Sequence, residues 1–201
     1  MPAYHRRVTP KVGGGRPLKK NRHDLTPNIW SGNGGEFAIE RERPGRGFRH
    51  LLRKQDIEEF ISMIPEWDRY SEGLRGVILA AGEHDCFGWY YDVGVIGICA
   101  WERQVWTELH VEYFEKDKAL LERLGVPSER RKDAVLCKFT EGQARAFLLL
   151  EVFLHELGHH HDRMTTRSRR SAARGESYAE RYSLDRRPDI WDRYIARYGL
   201  D

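Results

Sequence analysis

Apolar positions along this chain switch from helical spacing to alternation and back. Phe48, Leu51 and Leu52, then Ile57, Phe60, Ile61 and Ile64 fall at helical spacing, and Pro65 limits the run. Asp56 is the expected N-cap of this helix, with Glu58 and Glu59 in its first turn. Residues 74–101 read as sheet. Leu74 to Ala80 is short and apolar, while Phe87 to Tyr91 and Val93 to Trp101 are rich in aromatic and β-branched side chains. An edge strand within 93–101 is the expected wall of a cleft. Residues 105–111 suit either strand or helix, 113–124 read as helix with Gly125 as C-cap, and 134–139 form a further strand.

The longest apolar run begins after Thr140. Thr140 and Gln143 make a capping box, and the helix they open extends to about His161. Phe147, Leu148, Leu149, Leu150, Val152, Phe153, Leu154 and Leu157 surround it, which predicts a central helix covered on nearly every side. A helix over 170–185 follows, then Pro188, then a closing helix over 189–198 that carries Ile190, Trp191, Tyr194 and Ile195.

Charge divides the chain. The net formal charge is only +3, but residues 1–54 hold 13 Lys+Arg against 4 Asp+Glu, and the remainder holds 21 against 27. Residues 1–47, with Gly13-Gly14-Gly15 and Gly32-Asn33-Gly34-Gly35, read as a basic flexible arm, and 48–201 as one folded domain. Such an arm suits nucleic acid or an acidic partner, or is simply solvated. The glycine runs do not join a strand to a marked helix, so they do not form a phosphate-binding loop. Cys86, Cys99 and Cys137 are widely spaced, and a reduced, cytoplasmic chain is expected. No apolar run is long enough for a membrane span, and no signal-peptide core is visible at the start.

The chemistry concentrates at His155-Glu156-Leu157-Gly158-His159, an H-E-x-x-H pattern. Residues four apart share a helix face, so both imidazoles can reach one Zn²⁺. Glu156, about 100° round the helix from His155, is placed to act as general base on water. Such polar groups within an apolar helix are costly to bury without a purpose. Glu176-Ser177-Tyr178-Ala179-Glu180 downstream supplies two acids four residues apart.

Together the segments resemble gluzincin metallopeptidases, the H-E-x-x-H…E class, over roughly residues 134–185. The resemblance implies an α+β, zincin-like fold, with a small mixed sheet packed on the central H-E-x-x-H helix and further C-terminal helices. It implies one zinc ion, with Glu176 as third ligand beside His155 and His159. Glu180 then occupies the place of the acid that orients His155. Glu180 stands where that family commonly has Asp, so an exchange of roles between Glu176 and Glu180 stays open, as does Fe, Mn or Co in place of zinc.

The expected activity is zinc-assisted hydrolysis of amide bonds in a peptide or protein, with an extended substrate added to a sheet edge. Tyr178, Tyr182, His110, Arg174 and Arg181 are oxyanion-stabilising candidates by type alone. His160 and His161 leave the face of the ligand pair, and His84-Asp85-Cys86 reads as a turn. The rival reading is a binding or regulatory protein on a zincin frame that works through its basic arm. A protease with one dedicated partner protein as substrate is a third.

Overall fold

The computed structural model describes residues 12–13, 16–17, 29, 37–166 and 174–200. The chain divides into two units, Met1–Gly35 and Glu36–Asp201. In the first, β1 (Val12–Gly13) and β2 (Arg16–Pro17) pair antiparallel. Most of the basic arm expected to suit nucleic acid or an acidic partner lies outside the described residues.

The second unit begins with β3 (Ala38–Arg41) and β4 (Phe48–Arg49), then α1 (Lys54–Met63) and α2 (Trp67–Tyr70). β5 (Gly76–Ala80), β6 (Gly88–Tyr91), β7 (Val95–Cys99), β8 (Trp101–Glu102) and β9 (Trp106–His110) follow. Next come α3 (Val111–Arg123), β10 (Ser128–Arg130) and β11 (Ala134–Lys138). The chain closes with α4 (Glu141–Phe147), a π-helical segment Leu148–Phe153, α5 (Leu154–Thr165) and α6 (Gly175–Tyr198). This is an α+β architecture. Among the described residues no helix is long and apolar enough to cross a membrane.

The main sheet has the order β3-β5-β7-β6. β3, β5 and β7 are parallel, and β6 runs antiparallel along the edge beside β7. Every residue of β5 and β7 is buried, as near-continuous apolar strands require when both sheet faces are covered. β6 and β7 pack against α5, and β7 also meets the π-helical segment. Phe60 of α1 fits edge-on against both Phe153 and Tyr194, closing the core between the central helix and α6. A second sheet, β10-β11-β9, is antiparallel throughout.

Four expectations change. The folded body starts before residue 48, because β3 forms a full parallel ladder with β5. In place of one small sheet the strands divide among several, and the strand at 134–138 pairs with β9 in the second. Strand β7, within 93–101, is internal, and the edge is β6. Helix α6 runs unbroken through Pro188, where a stop was expected. A proline removes one helical hydrogen bond, to the carbonyl four residues back. Here that residue is Leu184, which is exposed, while Ile190, Trp191 and Tyr194 beyond the proline are buried and hold the helix in line. A smaller change concerns α1: Asp56 lies one turn inside it, and its carboxylate accepts the Arg53 N–H at 2.7 Å.

Candidate metal centre

Thr140 opens the central helix as its sequence implies. Its hydroxyl accepts the Gln143 N–H at 3.1 Å, and the Gln143 side chain accepts the Thr140 N–H at 2.8 Å. The six-residue π-helical segment then leads directly into the H-E-x-x-H turn. π segments leave carbonyls out of the regular ladder and often lie at functional sites. Here Arg187 serves one of them: its Nε donates to the Leu150 carbonyl at 3.1 Å. Arg187 also pairs with the buried Glu151 carboxylate and reaches Ser183 Oγ at 3.0 Å, and Ser183 donates to Glu151 at 2.9 Å. The irregular turn is thereby fixed by a side chain from α6.

Two further contacts bring α6 to the H-E-x-x-H turn. Gly158 faces Ala179, and a Cβ at position 158 would lie 2.8 Å from the Ala179 Cα and 3.1 Å from its carbonyl oxygen. Asp162, fully buried one turn beyond His159, accepts the Arg174 and Gly175 N–H groups at 3.2 and 3.0 Å. It thus satisfies open donors at the start of α6, immediately before Glu176. Burial alone raises the proton affinity of Asp162, but the Arg174 guanidinium, Thr166 and these N–H groups outweigh it and hold its carboxyl below the ordinary value.

The result is a convergent donor set. His155 Nε2 and His159 Nε2 are 3.1 Å apart, and Glu176 places one carboxylate oxygen 3.1 Å from the first and the other 3.3 Å from the second. A tetrahedral zinc site with bonds of about 2.05 Å requires donor separations of about 3.3 Å; the two imidazole nitrogens are near that spacing, and one donor atom from each of the three side chains lies within 4.8 Å of the others, so the group could hold a metal ion. Burial first, and then the neighbouring His159, lower the His155 pKa to about 4, which keeps its ligating lone pair free at neutral pH. Glu176 is 72% exposed, so the donor set opens toward solvent on that side.

Glu156 borders the same cleft and is only 8% exposed. Burial, reinforced by Glu176, pushes its pKa up to about 8. The cleft encloses about 600 Å³, and the edge strand β6 forms one wall through Gly88, Trp89 and Tyr90. Gly88 is required there: a Cβ would come within 2.4 Å of Val152 and 3.3 Å of Glu156 Cγ.

Glu180 does not reach His155. It pairs with Lys116 of α3 at 2.8 Å, and the buried His155 Nδ1 has no hydrogen-bond partner among the described residues. Of the two acids, Glu176 therefore joins the imidazoles, and the orienting role implied for Glu180 is absent from this arrangement. His160 turns away, with Nε2 2.9 Å from the Glu72 carbonyl and Nδ1 3.2 Å from the Tyr90 hydroxyl. His161 bonds the Tyr178 hydroxyl at 2.7 Å. Tyr182 is buried against His161, Arg174 is held by Asp162, and Arg181 is exposed. Of the five oxyanion candidates, only His110 lines the cleft.

Lys116 and Tyr113 line it as well, and the sequence reading did not single them out. The usable signal is that Tyr113 and Lys116 lie three apart in the first turns of α3, on spacing continued from His110 at its N-cap, which puts them near one face. Searches for similar proteins found no protein-family model, no curated protein and no solved structure that matches this chain.

Proposed function

We propose that the protein is a zinc-dependent metallohydrolase of zincin-like fold that cleaves amide bonds in peptides or proteins. The convergence of His155, His159 and Glu176 beside the buried acid Glu156 carries this reading. These three side chains would hold the ion, which when bound supplies Lewis acidity and lowers the pKa of a coordinated water. Glu156, which borders the cleft beside the donor set, accepts in its ionised form the proton of the attacking water and returns it to the departing amine. β6 offers an edge along which an extended peptide can add by main-chain hydrogen bonds.

The test uses zinc-loaded protein and a complex mixture of denatured polypeptides, with new termini read by mass spectrometry. Parental protein generates new termini and Glu156→Gln, with its zinc retained, does not. Equal cleavage by both would remove Glu156 from the chemistry.

A further inference from the structure

The segment 81–87, which leads into β6, places two thiols in contact. Cys86 Sγ and Cys99 Sγ lie 3.6 Å apart, and Cys86 also directs its thiol to the Gly88 carbonyl at 3.4 Å. Their main chains are coupled, since the Cys99 N–H donates to the Phe87 carbonyl at 2.9 Å. The two sulfurs differ in access. Cys99 ends the central strand β7 and is 3% exposed. Cys86 is half-buried and borders both the metal-site cleft and a neighbouring cavity of about 230 Å³. Cys137, the remaining cysteine, is wholly buried in β11.

The segment itself is tightly turned. Glu83 and Cys86 pair as an isolated bridge, and Asp85 between them has φ +62°. Two sulfurs in van der Waals contact, one of them reachable from a cavity, form a pair that can exchange with an external disulfide. A disulfide bond needs about 2.05 Å, a closure that rotation of the Cys86 side chain away from the Gly88 carbonyl would begin.

We propose that Cys86 and Cys99 are a redox modification site, closed to a disulfide by a low-molecular-weight disulfide and fixing segment 81–87 at the rim of the cleft. The Cys86 thiolate attacks one sulfur of the reagent and releases one reagent thiolate, which takes up a proton. Cys99 then loses its proton to solvent and attacks Cys86 Sγ in the mixed disulfide, releasing the second reagent thiol. Two protein thiols are oxidised by two electrons, and one reagent disulfide is reduced to two thiols. The order follows access: burial and the adjacent Cys86 push the Cys99 thiol up, so Cys86 attacks and Cys99 resolves. The closed bond would hold the start of β6, where Gly88 lies against Val152 and Glu156, to the strand beside it.

The experiment treats the full-length reduced protein with glutathione disulfide, then counts free thiols and maps linked peptides. The expected result is a fall from three thiols to one, a monomeric product, and a Cys86–Cys99 linkage that leaves Cys137 free. Cys99→Ser stops at a glutathione adduct on Cys86, and Cys137→Ser still forms the linkage. A persistent glutathione adduct on Cys86 of the parental chain, a linkage to Cys137, or three unreacted thiols when the unfolded chain reacts would each overturn the proposal. The thiol count needs neither metal nor substrate, so this proposal and the metallohydrolase reading fail separately.

Discussion

Gly158 and Ala179 meet with no side chain between the H-E-x-x-H helix and α6, at a separation that leaves no room for a methyl group at position 158. Glu176 lies one helical turn before Ala179, so this contact, together with Asp162 at the start of α6, holds Glu176 near the imidazoles of His155 and His159. The spacing of two helices is thus written into two small residues inside the two site motifs. Gly158→Ala is expected to cost about 1–3 kcal/mol of stability, as overpacking does, and to weaken zinc binding at least tenfold. Thermal denaturation and competition with a chelator check the two effects. Unchanged zinc affinity would show that Glu176 does not depend on this contact.

Arg187 is expected to be the most sensitive charged residue away from the proposed ligands. Its replacement by Met leaves the buried Glu151 without its cation and the Leu150 carbonyl without its donor. A loss of about 3–5 kcal/mol follows from breaking one side of a buried ion pair. Denaturant unfolding measures it, and Arg187→Lys should recover only part, since a compact ammonium cannot span acceptors that the guanidinium reaches from two separate nitrogens.

Asp117 gives the protein an alkaline weakness. Burial, and then the adjacent Glu151, raise its pKa to about 8, and its buried Oδ2 has no hydrogen-bond partner among the described residues. Between the ordinary carboxyl pKa and about 8 the folded chain holds a proton that the unfolded chain releases. This contribution is fully present at low pH and is lost as pH rises through that window. Asp117→Asn keeps the neutral form at every pH. It is expected to raise stability by roughly 1–3 kcal/mol near pH 9 while leaving it nearly unchanged near pH 4. Melting temperatures across that range decide the matter.

His160 acts in the opposite direction. Burial lowers its pKa to about 4, against which its bond to the Glu72 carbonyl works only in part. As pH falls from the ordinary histidine value toward 4, the unfolded chain gains a proton that the folded chain refuses, and stability drops. His160→Gln is expected to cost stability at neutral pH and to flatten the decline below pH 6.5, read from the same melting series.

The sequence made the candidate-site segments legible because each rests on local periodicity. The Thr140–Gln143 box marks the central helix, and four-residue spacing puts His155 and His159 on one face. Long-range choices were not legible in the same way. Whether 134–138 pairs with β9 or with the main sheet depends on strand partners far away in sequence, as does the assignment of the edge to β6 rather than β7. Pro188 misled because burial of Ile190, Trp191 and Tyr194 outweighs a local helix-breaking signal. The partner of Glu180 is Lys116, 64 positions earlier, a pairing that no local pattern announces. The π-helical segment likewise depends on Arg187 from another helix.

The central claim is that His155, His159 and Glu176 hold one zinc ion. Elemental analysis of the purified protein after zinc loading and gel filtration, with His159→Ala alongside, tests it most directly. The expected result is about one zinc per parental chain, a sharply reduced content in the folded variant, and retention in Glu156→Gln. A parental chain that leaves the column without zinc at neutral pH, or a His159→Ala chain that keeps the full complement, would contradict the account.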